Sequence, residues 1–358
     1  MLADREQDEQ WMRRALELAR RGRGSVEPNP MVGCVIVRDG RPISEAHHAA
    51  FGGPHAEAAA LAACTVSARG ATAYVTLEPC CHTDKKTPPC VPRLIDAGLA
   101  RVVVACEDPN PRVAGSGIRH LRNAGIIVDV GIVAAEARQL NAPFFAAQMY
   151  HRPYVTLKWA QTADNKIAGP AGRPVKISNP ASFKIMHALR ARCDAILVGI
   201  GTVLSDDPLL TPRPPHPDRR PPLRVVIDRE SQLPPASRLA TTAAEFPIKV
   251  YSRANTPMDE SGHLSLPAIL TDLHLCGITH LLVEPGPRLA AAFFRQNLAD
   301  RVWLFRSSTR MNDNTAPAAI PVPFPPIAAT EIDGDLLTEH LNPQSDVFYA
   351  RYASADFF

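Results

Sequence analysis

The sequence predicts an α/β protein of two domains, and three observations carry that expectation. Its 358 residues suit two units at about 100–200 residues per domain. Strand-like apolar runs alternate with helical stretches along both halves, the pattern of a sheet layered with helices. The pattern also restarts after His151-Arg-Pro153, where a new strand-like run begins at Tyr154-Val-Thr-Leu157. The expected domains are therefore 1–150 and 151–358, the first with helices on both faces of a mixed sheet.

The elements follow in order. Trp11, Met12, Ala15, Leu16, Leu18 and Ala19 recur at helical spacing over 8–21, and Gly22-Arg-Gly24 ends that helix. Met31–Val37 is β-rich and closes on Arg38-Asp39-Gly40, a tight-turn signal into a second strand near 43–47. The alanine-rich stretch 56–64 is helical, and 71–77 reads as a strand. Further helices are expected at 91–97, 118–123 and 133–149, with strands at 101–105 and 126–130. The second half repeats the logic: strands at 154–159, 194–199, 223–227, 248–251, 279–283 and 301–305, helices at 181–191, 267–275 and 287–295. The glycine fingerprint of a dinucleotide fold is absent, because His120 and Leu204 stand where Gly115-Ser-Gly117 and Gly199-Ile-Gly201 would need a third glycine.

Composition narrows the function classes. Apolar residues make up 46% and charged residues 21%, which argues against a disordered or fibrous chain. Lys plus Arg exceed Asp plus Glu by 39 to 36, and a net charge of +3 with 6% aromatics speaks against a nucleic-acid partner. No apolar run reaches the ~18 residues of a membrane span, and the polar N-terminus lacks the layout of a signal peptide, so a cytoplasmic location is expected. The eight cysteines are then unlike a disulfide framework. Cys80, Cys81 and Cys90 crowd together and suggest metal chemistry, whereas Cys34, Cys64, Cys106, Cys193 and Cys276 read as small buried hydrophobes. The 35 prolines are about twice the usual share. Many of them sit in the motifs below, where they stiffen loops.

Pro54-His55-Ala56-Glu57 opens the alanine-rich helix, Pro79-Cys80 ends a strand, and Cys90 opens the next helix. One imidazole and two thiolates suit Zn²⁺, and three protein ligands leave the fourth tetrahedral position for a water whose pKa the metal lowers toward ~7. Glu57 lies two residues from His55, where it can carry a proton from that water to a leaving amine. The H-x-E … P-C … C layout is the signature of zinc-dependent nucleobase deaminases. A structural zinc would need a fourth ligand, which Cys81 or His82 could supply, and Cys81 is also an alternative to Cys80.

Residues 8–150 resemble the deaminase domain of the bifunctional riboflavin-biosynthesis deaminase/reductase family. The resemblance rests on Arg14-Ala-Leu-Glu-Leu-Ala19, Pro28-Asn-Pro-Met-Val-Gly33, Gly53-Pro-His-Ala-Glu57, Thr76-Leu-Glu-Pro-Cys80, Thr87-Pro-Pro-Cys90, Asp108-Pro-Asn-Pro111 and Val113-Ala-Gly115. It implies a cytidine-deaminase-like three-layer α/β/α domain. It also implies hydrolytic deamination of 2,5-diamino-6-(5-phosphoribosylamino)pyrimidin-4(3H)-one, with metal ligands His55, Cys80 and Cys90, catalytic Glu57, and substrate contacts from Asn29, His48, Lys86, Thr87, Asp108 and Asn110. The segment between Cys80 and Cys90 is one residue longer than the family pattern.

Residues 154–295 resemble the reductase domain of the same family, which implies a dihydrofolate-reductase-like α/β fold and NADPH-dependent reduction of the ribosyl group to ribityl. The carrying strings are Tyr154-Val-Thr-Leu-Lys158, Asp194-Ala-Ile-Leu-Val-Gly199, Gly201-Thr-Val-Leu204, Asp206-Asp-Pro-Leu-Leu-Thr211 with Arg213, and Val283-Glu-Pro-Gly-Pro-Arg-Leu-Ala290. By resemblance Asp206 handles a proton and touches the cofactor. Arg190 and Arg213 hold the 5′-phosphate, Ser178, Leu210 and Glu284 meet the substrate, and Ala160, Lys176, Thr202, Gly286 and Arg288 meet NADPH. The resemblance also implies a homodimer. Asp164-Asn165-Lys166, Lys176-Ile177-Ser178 and Arg306–Pro326 depart from the family, so a zinc deaminase with a degenerate reductase-like domain is the alternative.

Overall fold

A computed structural model describes residues 2–82, 87–111, 113–215 and 220–348. They form two compact units, one of residues up to Tyr150 together with Val347 and Phe348, the other of His151–Asp346. The second unit thus ends before residue 358. Buried Arg138 donates Nε–H to the Val347 carbonyl at 3.0 Å, tying that part of the tail to the first unit.

The first unit runs α1 (Leu2–Arg20), β1 (Gly33–Arg38), β2 (Arg41–His47), α2 (Ala56–Ala63), β3 (Thr72–Val75), α3 (Cys90–Asp96), β4 (Arg101–Val104), α4 (Ser116–Asn123), β5 (Ile127–Val130), α5 (Ala134–Leu140) and α6 (Ala142–Tyr150). Its sheet has the order β2-β1-β3-β4-β5. The β1/β2 and β1/β3 pairs are antiparallel, and β3, β4 and β5 run parallel. Central strands β3 and β4 are short and apolar because both faces are covered. A Cβ on Gly33 would fall 1.9 Å from the Ala15 carbonyl oxygen, so α1 approaches β1 as closely as glycine allows. Buried Asp8 on α1 accepts Tyr74 Oη–H at 2.8 Å and both Nη groups of Arg101, which fastens the helix to β3 and β4.

One expected helix differs. Residues 133–149 form two helices that break at Asn141, because Pro143 lacks the N–H that a continuous helix needs. The Asn141 side chain instead pairs with both backbone groups of Met31, at 2.8 and 2.9 Å. That holds the Pro28-Asn-Pro30 segment beside the sheet.

The second unit runs β6 (Tyr154–Gln161), α7 (Pro180–Arg190), β7 (Ala195–Gly199), α8 (Ile200–Asp206), β8 (Leu223–Ile227), α9 (Arg238–Thr241), β9 (Ile248–Tyr251), α10 (Leu266–Leu275), β10 (His280–Val283), α11 (Pro287–Arg295), β11 (Arg301–Arg306), β12 (Pro326–Ile332) and β13 (Asp335–Leu341). The sheet order is β12-β13-β11-β6-β10-β7-β8-β9. The six strands from β11 to β9 are parallel, and β13 and β12 add an antiparallel edge. Helix α8 and the β12/β13 hairpin were not expected. The helix has only seven residues, too few for a periodic signal, and β12 is exposed along most of its length, so neither carries a hydrophobic pattern. Asp164 accepts N–H from Met311 and Asn312, and Lys166 donates to the Ala316 carbonyl, anchoring the irregular stretch before β12.

The cysteine expectation needs two corrections: Cys64 is only partly buried, and Cys276 is exposed. Cys34, Cys106 and Cys193 are buried, and burial pushes the Cys106 thiol up to about 12. The Lys249 ammonium donates to the Cys276 sulfur at 3.3 Å.

Candidate active sites

In the first unit the ends of two helices bring the candidate metal ligands together. His55 has extended backbone at the N-cap of α2, which points its imidazole out of the helix mouth. Cys90 is the first residue of α3, after Pro89 has set the entry angle. The Cys90 and Val91 amides donate to the Cys80 carbonyl at 3.0 and 3.2 Å, so backbone hydrogen bonds clamp the two cysteines together. His55 Nδ1 lies 3.4 Å from Cys80 Sγ and 3.5 Å from Cys90 Sγ. The three donor atoms fall within 4.8 Å of one another, the one such cluster among the described residues.

Those separations test the fit of zinc directly. Tetrahedral bonds of about 2.0 Å to nitrogen and 2.3 Å to sulfur place nitrogen and sulfur about 3.5 Å apart. Thr87 Oγ1 lies 3.1 Å from His55 Nε2, and that contact orients the ring so that Nδ1 is the metal-facing nitrogen. Among the described residues the cluster has three protein donors, and Cys81 and His82 are not among them.

The surrounding groups are in place for a proton transfer and for a small polar substrate. Glu57, in the first turn of α2, is buried. Burial, and then the Cys80 thiolate, raise its carboxyl pKa. His48 Nδ1 meets the Pro54 carbonyl at 2.9 Å, which leaves Nε2 as the acceptor for Asn29 Nδ2 at 3.3 Å. Burial lowers the pKa of His48, consistent with that neutral tautomer. Its ring also packs edge-on to His55 at 5.5 Å. Asp108 Oδ1 accepts the Asn110 amide at 2.8 Å, closing the Asp-Pro-Asn turn. Lys86 lies outside the described residues.

In the second unit a cavity of about 1470 Å³ opens where the parallel strands end, the usual ligand position on such sheets. Ordinary small-molecule sites take roughly 300–1,000 Å³, so this one has room for a dinucleotide and a second ligand. Ala160, Ser178, Thr202, Asp206, Glu284, Gly286 and Arg288 all line it. Gly286, the N-cap of α11, has nothing within 4 Å of a Cβ, so a ligand can approach its backbone.

Four expected site residues are placed elsewhere. The Arg190 guanidinium is bound in parallel to both Glu284 oxygens at 2.7 Å and also donates to the Thr211 carbonyl, so it does not line the cavity. A buried carboxylate takes the nearest fork of donors, whatever the sequence suggests about phosphate. Leu210 has a left-handed φ of 53° and is packed into the core. Arg213 is exposed and Lys176 lies over the Phe183 ring at 5.6 Å, neither of them on the cavity wall.

Sequence reasoning also missed two residues. Lys158 lines the cavity on β6, one residue past the last pair with β10, and burial lowers its pKa while Glu284 raises it. Burial raises the Glu284 carboxyl, but Arg190 and Lys158 outweigh it and hold the group at about 2. A lysine inside an otherwise apolar strand was the available signal. The second is Glu78, a buried acid in the Thr-Leu-Glu-Pro-Cys string.

Comparison with known proteins agrees with this geometry. Residues 5–106 match the cytidine and deoxycytidylate deaminase zinc-binding region, and residues 153–310 match the RibD C-terminal domain. The riboflavin biosynthesis protein RibD of Aquifex aeolicus is 42% identical over 311 residues, which span 84% of this chain and 87% of that protein. The Escherichia coli RibD is 40% identical over 322 residues, spanning 84% and 87%. Among solved structures, Acinetobacter baumannii RibD superimposes with a TM-score of 0.79 at 35% identity, covering 94% of this chain and 99% of its own. The diaminohydroxyphosphoribosylaminopyrimidine deaminase/5-amino-6-(5-phosphoribosylamino)uracil reductase of Thermotoga maritima gives 0.79 at 34% identity, with the same coverage.

Proposed function

The chain belongs to the RibD family of riboflavin biosynthesis proteins, and from that premise we propose which of its own residues carry each step. It is a bifunctional enzyme that uses zinc and NADPH. It deaminates 2,5-diamino-6-(5-phosphoribosylamino)pyrimidin-4(3H)-one and then reduces the ribosyl side chain to ribityl. The observation that carries the deaminase assignment is the His55, Cys80, Cys90 cluster with Glu57 two residues from the histidine.

His55, Cys80 and Cys90 hold zinc, and the Cys80 sulfur's place in the three-donor cluster favours Cys80 over Cys81. Bound zinc supplies Lewis-acid activation of water at neutral pH, and NADPH supplies the hydride. Glu57 accepts the proton of the attacking water at its carboxylate and delivers it to the departing amino group. His48 and Asn29, fixed against each other, meet the pyrimidine, together with Thr87, Asp108, Asn110 and Lys86.

In the second unit Ala160, Thr202, Gly286 and Arg288, which line the cavity, receive NADPH. Ser178 and Glu284 face the substrate, and Asp206 handles the proton taken up on reduction. Lys158 sets the charge opposite Glu284. Arg190 orients Glu284. Opening of the ribosylamine ring gives the imine carbon that accepts hydride at C1′. The protein is a cytoplasmic homodimer on this reading, and light scattering of the purified chain checks the dimer.

The test is incubation of the purified protein with the diaminopyrimidine phosphate. Ammonia release without NADPH, then NADPH oxidation once it is added, is expected. Ammonia release with no NADPH oxidation refutes the reductase assignment.

A further inference from the structure

We propose that Glu78 is a positioning residue of the deaminase, holding the substrate-facing Asp108–Asn110 turn in register with the metal-bearing Cys80 turn. The inference rests on the deaminase reading above.

Helix α4 starts without a cap of its own. Its N-cap is Gly115 in the left-handed region at φ 77°, with no side-chain hydrogen bond and no acid in the first turn. The missing acceptor comes from Glu78, far away in sequence and buried. Its Oε2 accepts the Gly115 amide at 2.9 Å and its Oε1 the Ile118 amide at 3.2 Å. A carboxylate there satisfies orphan amides and complements the positive end of the helix. Oε2 also accepts the Asp108 amide at 3.2 Å. One carboxylate therefore fixes both ends of the Asp108–Gly115 segment. Inside that segment Asp108 Oδ1 takes the Asn110 amide, and the Asn110 carbonyl takes those of Val113 and Ala114 at 2.8 and 3.0 Å.

The other side of Glu78 is the metal turn. Its own amide donates to the Cys106 carbonyl at 3.0 Å, and it precedes Pro79-Cys80. A Cβ on Gly117 would fall 2.1 Å from the Pro79 carbonyl oxygen, so the first turn of α4 rests on the residue before the zinc ligand. The turn that meets the pyrimidine and the turn that holds the metal thus share one close contact. Four hydrogen bonds among the described residues converge on Glu78: the Asp108, Gly115 and Ile118 amides on its carboxylate, and its own amide on the Cys106 carbonyl.

Glu78→Gln is the matched perturbation. It keeps the size, but its NH₂ turns a donor toward amides that need an acceptor. Zinc, Glu57 and His55 are untouched. Loss of substrate positioning without loss of the reacting groups raises KM by about tenfold or more and leaves kcat within about threefold. Zinc content stays at one per chain. The Asp108, Gly115 and Ile118 amides exchange faster with solvent, while those of α2 keep their protection. NADPH oxidation by the second unit, given deaminated substrate, serves as the folding control. Glu78→Asp, with the charge on a shorter stem, is measured alongside and gives a smaller rise in KM.

Unchanged KM in both variants overturns the proposal, as does a fall in kcat accompanied by lost zinc. If Glu78→Gln does not fold, an unchanged KM in Glu78→Asp overturns it alone. A wild-type protein that releases no ammonia refutes the deaminase reading and this inference with it. A wild type that does, beside variants with unaltered KM, refutes only the inference.

Discussion

Replacing Arg190 with methionine removes one partner of a buried ion pair and leaves Glu284 facing Lys158 and His187. The size of the effect follows from the carboxyl. Holding it at about 2 instead of 4.5 is worth on the order of 3 kcal/mol at 1.36 kcal/mol per pH unit. Breaking a buried pair from one side costs about 3–5 kcal/mol, which agrees. The sign is that of a lowered acid. The contribution is present in full above about 4.5 and is lost as the pH falls through 4.5 toward about 2. Urea unfolding followed by the fluorescence of Trp159 and Trp303, both in the second unit, measures it. The gap between wild type and Arg190→Met is about 3 kcal/mol at pH 6 and narrows as the pH drops below 4.5. Equal midpoints at pH 6 would show that the pair holds little of the fold together, and a gap that does not change with pH would show that the Glu284 charge is not its source.

Glu57→Gln keeps its zinc by metal analysis but loses ammonia release by about 10²–10⁴-fold, the usual contribution of a positioned proton carrier. Cys80→Ser loses zinc and Cys81→Ser retains it, and the reverse result moves the ligand register by one residue. Gly33→Ala drives a methyl into the Ala15 carbonyl oxygen at 1.9 Å. It lowers the stability of the first unit by about 1–3 kcal/mol or more in thermal unfolding, and an unchanged melting temperature would mean that α1 can move off the sheet.

How much was legible depended on how local the signal was. The order of strands and helices in the first unit was readable, except where Pro143 cut one helical pattern into two. The candidate zinc cluster was legible because His55 and Cys90 open helices and Cys80 lies in the segment that follows a strand, positions that the chain pattern marks. The open choice between Cys80 and Cys81 was not, since adjacent residues differ only in which way their side chains face. In the second unit Asp206, Thr202, Gly286 and Glu284 were recoverable from their motifs and line the cavity. Leu210 and Arg190 sat in equally clear motifs, yet one is core and the other is bound to Glu284.

The sequence by itself determined the chemistry on offer. It showed two α/β halves, one imidazole and two thiolates at helix and strand ends, and an acid two residues from the histidine. These are short-range facts, set by spacing and by the periodicity of a single element. Only the tertiary structure decided which charges are spent on one another. Arg190 and Glu284 lie on α7 and just past β10, and Glu78 caps a helix it does not belong to. A buried charge or amide must find its partner wherever the fold brings one within about 3 Å. That pairing depends on desolvation and packing across the whole unit, which no local pattern in the sequence records.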